Sequence, residues 1–344
     1  MEKRKPPLEE LTYFNAICCL LVVLIHVLSN AVSSLRTDSW QYALVLFPWR
    51  MAAFVVPAFL FSGAVKMART FSAPLDTSGY LRYLGRRIRK VYLPYLVWNL
   101  VYYLCFLRIG YVQGTLPDFL HYVLTGTLSA PFYYVLIAMQ FYILLPLWRW
   151  MVEKLCWPFA LCLSFPVTFL STNLNQLLHP LGLEFPYLDR IFPSYLCFWV
   201  MGLYAGAHYG EFTGQLSVKA REWWLGLSVI FLGSFALWLQ KSRQLYFIDL
   251  NVWKFFSDTI SILLLLGLCR HLCRASKNVK KTLTFISDAS FFVYLSHCLF
   301  LTFGTMELED HGVRELSVLL ICRIFLGCAI PFGLYAIRKR LQSR

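Results

Sequence analysis

The sequence predicts an all-α, polytopic membrane protein with about ten transmembrane helices and both termini in the cytoplasm. Three observations predict it. Of the 344 residues, 58% are hydrophobic and only 15% charged, whereas soluble domains carry about 25% charged residues. Ten apolar runs, each near the ~20 residues that cross a bilayer, follow one another with only polar loops between them. Lys and Arg also fall on alternate loops. With the N-terminus inside, 23 of the 32 basic residues sit on inner segments and seven on outer ones, and Arg50 and Arg323 lie within spans. That asymmetry is the positive-inside pattern. It also accounts for the net charge of +14 through the lipid bilayer as partner, so no nucleic acid is expected.

The runs fall at 11–31, 42–65, 91–108, 132–151, 156–174, 193–209, 223–240, 252–272, 290–307 and 316–337. The first follows Lys3, Arg4 and Lys5 and ends near Ser29 and Ala31, as a signal peptide would. It is longer than a usual signal core and many runs follow it, so it reads as a span. The third and sixth runs are short, and Pro94, Pro131, Pro146, Pro166 and Pro193 stand near or inside spans, where kinks are expected. The runs read as one transmembrane domain over residues 1–344. No repeat of 20–50 residues stands out, nor does an inverted pair of broken spans, the pointer to many secondary transporters. The eleven cysteines lack metal-ligand or disulfide spacing. They read as small hydrophobes, and no metal is expected.

Polar residues inside the runs are the candidates for chemistry. Asn15 and His26 are eleven residues apart in the first run, about three helical turns and roughly 16 Å along one face. His26 is either a catalytic base or a packing histidine; an ionisable residue inside a span is a functional hypothesis by default. With the orientation above, His26, Arg50, Asp258, His297 and Arg323 fall at similar depth in the outer half of the bilayer. Burying charge is costly unless it is paired or hydrated, so one reading is a shared wet cavity. The other has the arginines snorkelling outward and Asp258 pairing with Lys254. At the inner mouth of the third run, Arg82, Arg86, Arg87, Arg89 and Lys90 cluster, with Arg82, Arg86 and Arg89 on one helical face. They are either an anchor for anionic lipid or a site for the phosphates of a nucleotide-like donor. No GxSxG, HExxH, P-loop or GxGxxG occurs. Proton transfer by histidine is the chemistry these residues allow.

Five stretches then carry a resemblance. FNAICCLLVVLIHV ends on a histidine. WRMAAFVVPAFLFSG holds Arg50, Val56, Pro57, Phe59, Ser62 and Gly63. RRIRKVYLPYLVW joins a basic run to Pro-Tyr. APFYYVLIAMQFYILLPL includes Gln140 and Tyr142, and SFFVYLSH supplies Tyr294 and His297. In this order they resemble the acyltransferase-3 family of integral-membrane acyltransferases over nearly the whole chain, and the branch of biofilm-polysaccharide O-succinyltransferase-like proteins. One departure is Asn15, where the family usually has Arg. The resemblance implies a multi-pass protein of the bacterial plasma membrane. It implies transfer of acetyl or succinyl from cytoplasmic acyl-CoA, a co-substrate with no permanently bound cofactor, to a hydroxyl of a cell-surface or exported glycan. His26, Arg50 and His297 would be catalytic, Arg82, Arg86, Arg87, Arg89 and Lys90 would hold the donor, and Asn15, Gln140 and Tyr294 would contact substrate. A transporter or flippase for a polysaccharide or lipid-linked sugar is the alternative.

Overall fold

The structure is a computed structural model that describes residues 8–71, 75–216, 219–243, 246 and 249–342. Lys3, Arg4, Lys5 and Arg344 of the charge pattern lie outside these residues. No strand occurs among the described residues. The helices are α1 (Glu9–Ser34), α2 (Trp40–Ala52), α3 (Val55–Ala68), α4 (Thr77–Arg87), α5 (Leu93–Arg108), α6 (Leu116–Thr125), α7 (Tyr133–Ile143), α8 (Leu145–Lys154), α9 (Trp157–Leu178), α10 (Leu196–Ala207), α11 (Tyr209–Gln215), α12 (Ala220–Arg243), α13 (Leu250–Leu272), α14 (Lys277–Asp310) and α15 (Leu316–Gln342).

All ten apolar runs are helical. Seven helices or helix pairs are long and apolar enough to cross a membrane, and up to eight if the bent pair Leu116–Thr125 and Ala130–Ile143 is one span. The runs at 132–151, 156–174 and 193–209 differ from the others for visible reasons. The first breaks at Leu144, between α7 and α8. The second, α9, carries Ser164, Thr168, Ser171, Thr172 and Asn173 along its length. The third holds the 12-residue α10, which is shorter than a bilayer is thick.

The chain divides into two compact units, Met1–Phe59 with Thr213–Arg344, and Leu60–Phe212. In the first, α1 packs against α2, α13, α14 and α15, and α14 against α15. The apolar side of α1 is set by Leu11, Phe14, Cys18 and Val22, a spacing of three and four that keeps one stripe inward. Glu9 and Glu10 in its first turn oppose the helix dipole, and Lys280 reaches Glu9 at 3.2 Å from the start of α14. Helix α15 comes close to α1 because Gly327 has no side chain: a Cβ there would stand 2.8 Å from Val23. That proximity lets Arg323, on the same helix and only 8% exposed, turn inward. Its Nε donates to the Val27 carbonyl at 3.0 Å and its Nη2 to the His26 carbonyl at 2.9 Å, while Nη1 donates to Thr305 Oγ1. The snorkelling reading of Arg323 is thereby replaced. This guanidinium ties α15 to α1 and α14.

The second unit is built on aromatics and glycines. Phe141 stacks on Trp199 with centroids 4.2 Å apart, and Trp148 Nε1 donates to the Phe141 carbonyl at 2.8 Å. Gly202 and Gly206 on α10 form a small-xxx-small pair, the packing that lets backbones meet in apolar surroundings. A Cβ on Gly202 would come within 2.5 Å of the Phe61 carbonyl oxygen, and one on Gly206 equally close to that of Val65. Gly85 on α4 has open space instead.

Gly202→Ala should therefore lower the thermal unfolding midpoint in detergent although Ala is the better helix former, overpacking costing about 1–3 kcal/mol. Gly85→Ala should leave the midpoint unchanged or raise it, by up to about 1 kcal/mol of helix propensity. Arg323→Leu should lower the midpoint as well. Arg323→Lys should not restore it, because an ammonium cannot present the planar fork that reaches three acceptors. Fluorescence-detected gel filtration after heating reads all four.

Candidate active site

The site is assembled where α1 meets α14. Tyr294 and His297 are three residues apart and therefore share a face of α14. Both are buried, His297 completely. The His297 ring lies 5.1 Å, centroid to centroid, from that of His26, with the planes at 48°. The Tyr294 ring stands 6.4 Å from His297 and edge-on to Phe59 at 6.1 Å. Two histidines far apart in sequence are thus brought together in one apolar layer, with Arg323 holding the turn of α1 on which His26 sits.

The hydrogen bonds define the chemistry of His297. Its Nδ1 is 2.9 Å from the Val293 carbonyl oxygen, one turn back on the same helix. A carbonyl only accepts, so Nδ1 carries the proton and Nε2 presents a lone pair. That lone pair faces the sulfur of Cys298 at 3.4 Å. His297 therefore offers an acceptor. In its neutral form it cannot also donate to an oxyanion, because its one N–H is spent on Val293. His26, His297 and Cys298 each bring a ligating atom within 4.8 Å of the others. These are the residues, among those described, that stand close enough to share a metal ion. An ion there would take the same lone pairs that proton transfer needs. Cys298, read from the sequence with the other cysteines as a small hydrophobe, stands against the imidazole here, immediately after the histidine of the Tyr-Leu-x-His stretch.

The other candidates are distributed as follows. Asn15 is half-buried on α1, three turns from His26 and so apart from the histidine pair. Arg50 lies in the last turn of α2, its guanidinium 5.9 Å from the centre of the Trp49 ring. Trp49 Nε1 in turn donates to Ser29 Oγ on α1 at 3.1 Å, one turn from His26. The Nε of Arg50 is buried without a hydrogen-bond partner. Asp258 is buried on α13, with Lys254 as its electrostatic partner.

Gln140, in the other unit, is already engaged at both ends of its amide. Its Nε2 donates to the Arg190 carbonyl at 2.8 Å, and its Oε1 accepts from the Phe192 N–H at 2.9 Å. It splices α7 to the segment before α10, and both ends of its amide are occupied by backbone. The basic cluster begins on α4, which Asp76 caps. That carboxylate accepts from Ser78 and from the Gly79 N–H, and both bonds hold it below the usual carboxylate range. A π-helical turn at Ile88–Tyr92 then joins α4 to α5 and shifts the register, so Arg89 and Lys90 do not follow the α-helical face of Arg82 and Arg86. Arg82, Arg86, Arg89 and Lys90 are exposed. Arg87 is different: it lies over the rings of Tyr83 and Tyr142, at 5.0 and 4.6 Å from their centres.

Comparison with known proteins supplies the family. The acyltransferase domain of the acyltransferase-3 family matches residues 8–336. The chain is 24% identical over 313 residues to the Bacillus subtilis (strain 168) protein named "Putative membrane-bound acyltransferase YfiQ", covering 86% of this chain and 82% of the relative. It is 24% identical over 355 residues to the Staphylococcus aureus (strain MSSA476) "Probable poly-beta-1,6-N-acetyl-D-glucosamine export protein", covering 94% of this chain and 91% of the relative. The Staphylococcus epidermidis protein of the same name is 24% identical over 349 residues, 94% of this chain and 90% of the relative. No solved structure matches the chain significantly. With a match that begins in its first helix and ends in its last, the chain belongs to the acyltransferase-3 family and is a multi-pass bacterial membrane acyltransferase.

Proposed function

We propose that the protein moves a short acyl group, acetyl or succinyl, from cytoplasmic acyl-CoA to a hydroxyl of an extracytoplasmic glycan, with His26 as general base. The paired imidazoles of His26 and His297, 5.1 Å apart in an apolar layer, carry the reading. A half-buried imidazole beside a second, enclosed one is a positioned proton acceptor that an incoming hydroxyl can reach, and positioned general bases contribute roughly 10²–10⁴ in rate. The polysaccharide named in the staphylococcal relatives supports a glycan as acceptor. The Lys/Arg asymmetry supports a cytoplasmic donor.

Arg50 fits the role of an electrostatic partner for the reacting carbonyl. A buried Nε–H without an acceptor is rare in folded proteins, and a developing oxyanion is an acceptor of the right sign. Arg82, Arg86, Arg89 and Lys90 are free to face solvent or head groups and suit the phosphates of CoA. Arg87, stacked on two tyrosines, suits a structural role instead.

The word "export" in the staphylococcal names favours one second reading, a glycan transporter. Release of CoA separates the two, since transport consumes no thioester. The purified protein should release CoA from acetyl-CoA or succinyl-CoA in the presence of a β-1,6-linked N-acetylglucosamine oligosaccharide. His26→Ala should lose this by roughly 100-fold or more while eluting as the wild type does on gel filtration. Equal rates in the variant would remove His26 from the mechanism, and no release by the wild type would favour transport.

The basic cluster makes a separate prediction. Alanine at Arg82, Arg86 and Arg89 together should raise KM for acyl-CoA about tenfold or more with kcat preserved, the signature of lost uniform binding. Arg87→Ala should lower the unfolding midpoint and leave KM near its wild-type value.

A further inference from the structure

Cys298 is not used by the reaction described so far, and its surroundings are those of an activated nucleophile. Its sulfur lies 3.4 Å from His297 Nε2. The opposite nitrogen of that ring is held by the Val293 carbonyl at 2.9 Å. Nucleophile, base and an orienting acceptor behind the base are the parts of a catalytic triad in generalised form. A ligating nitrogen of His26 lies within 4.8 Å of the same sulfur. The Arg323 guanidinium is within electrostatic reach of Cys298.

We infer that Cys298 takes the acyl group from acyl-CoA as a thioester and passes it on to the acceptor hydroxyl. This rests on the acyl-transfer reading above and divides it into two steps. In the first, the Cys298 proton moves to His297 Nε2 and the sulfur attacks the thioester carbonyl carbon. The bond from that carbon to the CoA sulfur breaks, and the CoA thiolate leaves with the proton from His297. One thioester replaces another, so the step is close to balanced in free energy and needs no further reactant. In the second, the acceptor hydroxyl gives its proton to His26 as its oxygen attacks the Cys298 thioester. The carbon–sulfur bond breaks and the proton returns to the Cys298 sulfur. Each histidine then has its own step, which explains why the site holds two.

A relay of this kind predicts exchange without acceptor. Full-length protein in detergent, given acetyl-CoA or succinyl-CoA and isotopically labelled free CoA, should move label into the acyl-CoA pool with no glycan present. The peptide containing Cys298 should gain the mass of one acyl group, removable with neutral hydroxylamine. Cys298→Ala and the size-preserving Cys298→Ser should both reduce exchange by more than about 100-fold with unchanged gel-filtration profiles, whereas Cys105→Ala should retain it. Exchange that persists in Cys298→Ala overturns the inference, as does acylation mapped to a different residue. A wild type that releases CoA when the N-acetylglucosamine oligosaccharide is added, yet shows no exchange, overturns the relay alone and leaves direct transfer. A wild type that does neither overturns the relay together with the reaction it rests on.

Discussion

A guanidinium placed among apolar helices must be answered by acceptors, because no water is present to solvate it. Arg323 is answered by two carbonyls of α1 and one hydroxyl of α14. Those three acceptors lie on the helices that carry His26 and His297, so satisfying one buried charge also fixes the separation of the two imidazoles. Gly327 is the condition for this, since a side chain there would collide with Val23 and push α15 away from α1. The first unit can thus be read outward from one arginine: the glycine lets its helix approach, the guanidinium locks the turn of α1, and the locked turn presents His26.

The second unit meets the same constraint by different means. Its backbone is brought together by Gly202 and Gly206 against α3, and its polar groups are absorbed locally. Tyr204 OH donates to the Met151 and Leu155 carbonyls at 3.0 and 2.9 Å, and Gln140 bridges two backbone groups fifty residues away. Arg87 is satisfied by aromatic faces rather than by an anion. Polar side chains in this unit therefore hold backbone, whereas His297 of the first unit keeps a lone pair directed at the sulfur of Cys298.

Much of this was legible in the sequence because membrane helices are specified by run length alone. The last run, expected at 316–337, is α15, Leu316–Gln342. The first, expected at 11–31, is α1, Glu9–Ser34. The helix ends extend beyond the runs because flanking polar residues continue a helix without being apolar. His26 and His297 were legible because an ionisable residue interrupts an apolar run. Cys298 was less legible, since cysteine counts as apolar in any hydropathy reading and its one sequence pointer is its place directly after His297. Gln140 shows a different limit: an amide inside a run signals a polar need, and the structure shows a distant stretch of backbone meeting it. Arg87 could not be told from its four basic neighbours without Tyr142, which comes from another helix.

In the proposed relay, the pairing of two histidines with one cysteine would address a problem particular to a bilayer. A donor from the cytoplasmic side and an acceptor from the other side would have to occupy the site at once for direct transfer, leaving the protein open on both faces at the moment of reaction. In the relay inferred above, a thioester stored on Cys298 would remove that requirement, because the CoA proposed as donor would leave before the acceptor arrived. The orientation of His297 is consistent with this division. Its N–H is committed to Val293 and its lone pair to Cys298, so it serves the sulfur and not the acceptor. His26, half-buried where His297 is fully enclosed, is the histidine an incoming hydroxyl can reach. Within the proposed relay, the difference in exposure between the two adjacent imidazoles matches the earlier step to the enclosed ring and the later one to the more accessible ring.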